Sequence, residues 1–190
     1  MQFVIPPKTQ HANPCGQCKL LYGMTCCESK PDAGASLPMT FGEASRIARY
    51  FRVPLEQVVT IRKDVSDEEV SSLRAHGTQV ANLVVGSVGL YLPRRADGSC
   101  VYLDGVCSIP SVKPAICAMF PFLKVGNVWK LGILVQEAGF CFGQDASGSV
   151  DAALDLFDTT RNKLDKIHAQ WLTDKKMHAA QMKKLKRKRK

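Results

Sequence analysis

The sequence predicts a small, loop-rich α+β domain with short helices, a small antiparallel sheet and a C-terminal helix. Three observations carry this: helical periodicity in separate short segments, an alternating and turn-rich stretch from Ser87 to Val135, and an amphipathic run after Ser149. At 190 residues, 45% hydrophobic and 23% charged, the chain has ordinary globular usage and the length for a real core, so a wholly disordered chain is excluded.

Residues 1–38 contain four cysteines and five prolines without sustained periodicity, and read as loops held by something other than a core of their own. Thr40-Phe41-Gly42-Glu43 is a capping-box pattern, and Ala44, Ile47, Ala48 and Phe51 follow at helical spacing, which predicts a helix over 40–51. Pro54 suits the first turn of a second short helix through Ile61. Asp67, Glu68 and Glu69 put acids where a helix N-terminus favours them, and Val70, Leu73 and Val80 continue that helix until Gly86. Val88, Leu90 and Leu92 then alternate, Asp97-Gly98 and Asp104-Gly105 are turn dipeptides, and the run from Val128 to Val135 is strand-like; a small sheet or pair of hairpins is expected. After a Gly/Ser break at Gly143 to Ser149, Ser149 caps a helix whose Leu154, Phe157, Leu164, Ile167 and Trp171 recur at mainly three- and four-residue intervals. Beyond Trp171, Lys and Ala dominate and the helix is expected to fray.

The net charge of +9 is concentrated at one end. Lys175 to Lys190 hold nine cations and no acid, so removing nine from the total of 26 leaves residues 1–174 with 17 basic and 17 acidic side chains. The division expected is therefore a cysteine-rich domain over 1–148, an amphipathic helix over 149–172 packed on it, and a basic, disordered tail over 173–190. No apolar run is long enough to span a membrane, and the first residues lack the basic and apolar regions of a secretory signal, which points to the cytoplasm, where thiols stay reduced.

The eight cysteines fall into two groups, Cys15, Cys18, Cys26 and Cys27, then Cys100, Cys107, Cys117 and Cys141. Cys15-Gly16-Gln17-Cys18 is a C-x2-C knuckle, the spacing that lets a tight turn aim two sulfurs at one ion. Asp104-Gly105 can turn the chain between Cys100 and Cys107, and Pro114 precedes Cys117. Adjacent side chains on an extended chain point to opposite faces, so Cys26 and Cys27 reach one ion only through an unusual turn; one is otherwise spare, or each serves a different centre. Eight thiols match two four-thiolate sites, or one such site with the other cysteines packed as small core residues. Sulfur ligands select zinc or iron, including iron–sulphur clusters, over Mg²⁺ or Ca²⁺.

These residues resemble the CxxCxxCC cysteine-cluster family, whose members are described as zinc- or iron-chelating domains. The first signature, C-x2-C and a Cys-Cys pair, is matched by Cys15, Cys18, Cys26 and Cys27, and its following helix by Met39 through Phe51. The second, with two cysteines flanking a turn and then a proline-bearing stretch to a third, resembles Cys100 through Pro121 with Cys107 and Cys117; the last family cysteine corresponds to Cys141 between Gly139 and Gly143. The resemblance implies that all eight are metal ligands, and it covers about two thirds of the chain. The chain departs from the pattern in a seven-residue gap between Cys18 and Cys26, in Pro110 for the usual Tyr, in Lys113-Pro114 for Arg-Pro, and in Ala118 for Arg. The last change removes a cation, which makes Lys113 and Lys124 the candidates to offset thiolate charge. A relative in that family, the flagellin lysine methylase, implies an alternative: an iron–sulphur protein with a redox or enzyme-accessory role.

Any one cysteine is more often a small core hydrophobe than a ligand, and disulfides run against the expected compartment. His11, four residues before Cys15, suits a surface or capping role better than ligation, and His76, His168 and His178 sit among polar neighbours in expected helices. Trp129 and Trp171 read as core. No Gly-rich phosphate loop, H-E-x-x-H, G-x-S-x-G or carboxylate pair in a motif context occurs, which disfavours an ordinary hydrolase or kinase. The partners expected are a metal ion and, through the basic tail, nucleic acid; aromatic residues that would stack on bases are lacking there.

Overall fold

The computed structural model describes residues 38–75, 78–104, 106–131 and 149–187. It is an α+β arrangement of short helices, small antiparallel sheets and a long C-terminal helix, as the sequence predicts. Strand β1 (Pro38–Met39) leads into helix α1 (Phe41–Phe51), whose capping box is present as expected: Thr40 Oγ1 accepts from the Glu43 amide, and the Glu43 carboxylate accepts from Thr40. Arg52 ends the helix in the left-handed region at φ 56.

The segment expected to be a second helix through Ile61 is instead a 3-10 turn (Leu55–Gln57) followed by strand β2 (Thr60–Arg62). Its partner explains the difference: Ile61 pairs with Leu90 of β3 (Gly89–Tyr91), which also pairs with Met39 of β1. Leu90 thus lies between two apolar neighbours at the centre of a three-stranded sheet, a contact that no local pattern around Pro54 can report. The acidic helix forms as α2 (Asp67–Ala75) and α3 (Thr78–Ala81), ending short of Gly86. Arg62 pairs through both terminal nitrogens with Glu69 and lies 5.6 Å over the Tyr91 ring, tying β2 to α2.

Two hairpins follow. Strands β4 (Leu103–Asp104) and β5 (Val106–Cys107) pair Leu103 with Cys107. After a 3-10 turn (Pro110–Val112) and helix α4 (Ala115–Met119), β6 (Phe122–Val125) and β7 (Val128–Leu131) pair around Gly126, whose φ of 60 is the conformation a two-residue hairpin turn requires. The expected strand to Val135 is described only to Leu131.

The C-terminal region corrects two expectations. Ser149 does cap a helix, α5 (Val150–Leu156), but the chain breaks at Asp158, with φ 45, before α6 (Arg161–Arg187) begins. Helix α6 does not fray after Trp171. It continues through the stretch expected to be a disordered tail, because Asp174, His178 and Met182 prolong the buried seam begun by Leu164 and Trp171. At 27 residues it is about 40 Å long.

That helix joins two apolar cores. The first gathers Met39, Ile47, Val58, Leu90, Tyr102 and Ile109 under Met182. The second gathers Leu83, Met119, Phe122, Trp129, Leu154 and Leu164 around Trp171. Where α6 crosses α1, a Cβ on Gly42 would lie 2.6 Å from Asp174 Oδ1, so only glycine permits this approach. Asp174 accepts from Arg46 Nη2 at 2.7 Å and from Gln170, and His178 Nδ1 accepts from the Phe41 amide at 2.9 Å while its Nε2 meets the Leu83 carbonyl. Among the described residues no helix is long and apolar enough to cross a membrane.

Candidate metal site

Of the eight predicted ligands, Cys100, Cys107 and Cys117 lie within the described residues; Cys15, Cys18, Cys26, Cys27 and Cys141 lie outside them. The three reach one region from different elements: Cys100 from the loop before β4, Cys107 from β5 and Cys117 from α4. Among the described residues no three His, Cys, Asp or Glu side chains converge closely enough to hold an ion by themselves.

The Cys100 loop is organised by backbone capture. Asp97 Oδ1 accepts from the Ser99 amide and hydroxyl at 2.9 and 2.7 Å, the Asx arrangement that its turn-forming sequence favours. Arg95 then reaches across the loop: Nη1 donates to the carbonyls of Cys100 and Leu103 at 2.9 and 2.7 Å, and Nη2 to that of Val101 at 3.0 Å. The remaining carbonyl of the run, Tyr102, accepts from the Ser108 amide and hydroxyl. Tyr102 is itself fixed by a 2.8 Å bond from its hydroxyl to the Val58 carbonyl and by stacking on Phe51.

The start of α4, the helix that carries Cys117, is tied to α1 by a buried carboxyl group. Glu43 is 1% exposed, and one carboxylate oxygen accepts from the Ala115 amide at 2.6 Å while the other accepts from Thr40 N and Oγ1 at 2.7 and 2.8 Å. One residue therefore caps α1 and ties down the start of α4, two residues before Cys117. Burial pushes the Glu43 carboxyl up, while the amides of Ala115 and Thr40 and the nearby Arg46 charge pull it down.

The thiols sense one another. Burial raises Cys117 to about 12, and the Cys100 and Cys107 thiols add to that rise, against the Lys113 ammonium. Cys100 is raised first by burial and further by Cys107, while the Tyr102 amide and the charges of Arg94 and Arg95 act the other way. The donor type, cysteine sulfur from three elements, is the one zinc and iron take, and a bound cation would deprotonate such thiols.

Of the two expected charge compensators, Lys113 acts on Cys117. Lys124 instead pairs with Asp165 of α6 and lies 5.4 Å over the Trp129 ring, because its place on β6 faces the second core. Arg94 and Arg95 were not legible as site residues, though an Arg-Arg pair five residues before a cysteine was a visible signal. His168 meets the Trp129 ring edge-on and the Trp171 ring at a tilt, and His178 bridges α1 to the Leu83 carbonyl; among the described residues neither joins a group of three that could hold an ion. In comparison with known proteins, no family model, curated protein or solved structure matches the chain.

Proposed function

We propose that the chain binds zinc or iron through clustered cysteine thiolates, Cys15, Cys18, Cys26, Cys27, Cys100, Cys107, Cys117 and Cys141. The observation that carries the reading is the pair of spaced cysteine groups, within which Leu103 joins Cys100 to Cys107: its amide donates to the Cys100 carbonyl and it pairs with Cys107 across the hairpin. The sequence before residue 38, rich in proline and cysteine and without apolar periodicity, gives the donors a reason to be there: an ion would staple such a stretch to the rest of the chain. When bound, zinc would cross-link these segments, and an iron–sulphur centre would in addition exchange electrons. In the family resemblance, that second chemistry goes with a redox or enzyme-accessory role.

Anaerobic purification with a visible spectrum and elemental analysis tests this. Zinc or iron near stoichiometry is expected, with visible absorbance only for an iron–sulphur centre; less than about half an equivalent of the two metals together overturns the reading. In Cys100→Ser and Cys117→Ser, metal and solubility should fall together, and wild-type metal content in both would count against it.

A second reading is phosphate binding along α6. Its support is that Lys166, Lys176, Lys183 and Lys184 are exposed on a helix whose opposite side carries the Leu164, Trp171 and His178 seam. An anisotropy titration on duplex DNA at two salt concentrations decides it, with affinity expected to fall with salt at a logarithmic slope of about −0.9 per neutralised phosphate.

A further inference from the structure

We propose that Arg95 is a positioning residue for the metal site: its guanidinium preforms the Cys100–Cys107 segment by gathering the carbonyls of Cys100, Val101 and Leu103, so that the segment holds its shape before any ion arrives. The inference deepens the thiolate reading and rests on it for its function, although the preformed geometry stands on contacts that need no metal.

A run of three carbonyls turned toward one point is an electronegative cradle, and leaving it without a donor inside a part-buried loop is costly. Arg95 fills the cradle with two nitrogens of one rigid plane, Nη1 on Cys100 and Leu103 and Nη2 on Val101, and a third contact from Nη1 to Ser99 Oγ at 3.2 Å. Its own amide donates to the Ser99 carbonyl at 2.8 Å, so residue and loop are locked at both ends. Leu103 is the partner of Cys107 across β4 and β5, which carries the constraint from one cysteine to the other. The Cys100 carbonyl accepts a second bond, from the Leu103 amide at 3.0 Å, and Val101 N–H donates to Pro93 at the same distance. Lysine keeps the charge but offers one nitrogen, which cannot span carbonyls held by two. Charge and geometry are therefore separable in a single substitution.

The experiment has two arms on the full-length chain. In the first, wild-type protein is stripped with chelator and amide hydrogen exchange is followed at Val101, Leu103 and Ser108. A preformed segment keeps their protection after the metal is removed; protection lost with the metal means the ion holds the loop, and overturns the proposal. In the second, Arg95→Lys is compared with wild type for cobalt(II) affinity, the thiolate-to-cobalt charge-transfer band, thermal midpoint and alkylation of Cys100 in the metal-free state. Expected are an affinity lower by about 10–100-fold, the loss typical when a group that orients a ligand is removed, and faster alkylation of Cys100, with the thermal midpoint largely kept. A lower midpoint with unchanged cobalt affinity and alkylation would make Arg95 merely structural. If Arg95→Lys does not fold, the exchange arm decides alone. If wild type gives no charge-transfer band, the thiolate reading fails, while exchange and alkylation still judge the clamp.

Discussion

The two cores are closed by different means. In the first, polar groups run through the apolar packing and most are bonded, Glu43 by three donors, Tyr102 by Val58, and His178 by Phe41 and Leu83, with Gln181 Oε1 beside Met182 buried without a partner among the described residues. In the second, closure is aromatic. Trp129 reaches Asp165 only at the surface, and the Trp171 indole nitrogen is buried without an acceptor among the described residues. The core that carries Cys100 and Cys107 is thus the one with more directional bonds, which hold a backbone at defined positions, while Cys117 lies on α4, whose Ala115 and Met119 pack in the second core. On the thiolate reading proposed above, segments that carry ligands would have the first kind of support.

The most severe way to break this contrast is to end the chain after Trp171, which spares most of the second core and strips the first of Asp174, His178 and Met182. Losing one buried Met side chain costs about 2–5 kcal/mol against a total stability of about 5–15 kcal/mol, so loss of fixed tertiary structure by near-UV circular dichroism is expected. A truncated protein that keeps its folding and metal would show that the first core closes without α6.

Next in size is Glu43→Ala. It removes a cap worth about 1 kcal/mol and leaves a buried amide unsatisfied at about 1–3 kcal/mol. At about 2–4 °C per kcal/mol for a domain of this size, a melting midpoint lower by roughly 4–16 °C is expected. Asp165→Asn, which loosens the Trp129 contact in the second core, should leave the midpoint within a degree or two of wild type by about the same scale. Equal shifts in the two variants would erase the distinction.

The pH dependence separates the cores more finely. Burial pushes His178 below the ordinary 6.5, against the effect of the Leu83 carbonyl. The unfolded chain therefore takes up a proton that the folded chain resists: stability is full above about pH 6.5 and falls as the pH drops below it, by at most about 1.4 kcal/mol per unit. Urea midpoints at pH 7.5 and 5.5 should show the fall, and His178→Gln should flatten it. His168, also lowered by burial but more open to solvent, should on replacement by Gln change the slope much less. A larger effect at His168 would invert the comparison.

Legibility followed the range of the interaction. Helix α1 could be read because its cap and apolar spacing are local, and the Val128 strand because its strand-favouring residues are consecutive. The strand at Ile61 could not, since it exists through Leu90. The continuation of α6 escaped notice because its seam passes into Asp174 and His178, which look like surface residues until Arg46, Gly42 and the Phe41 amide are placed against them. The cysteines announced themselves by type and spacing, but Arg95 and the second role of Glu43 did not: recognition of backbone carbonyls and amides leaves no pattern in side-chain order.

The crossing of α6 over α1 also sets the sequence of events during synthesis. The Phe41 amide waits for a partner 137 residues further along the chain, and the Leu83 carbonyl for the same side chain 95 residues on. Until α6 leaves the ribosome, Cys100, Cys107 and Cys117 belong to a nascent chain whose first core has no roof. Such long-range closure is slow compared with helix and hairpin formation. The thiols of that core are then open to oxidation until α6 docks. Pulse alkylation of stalled chains of increasing length would show Cys100 becoming protected only once Met182 has emerged.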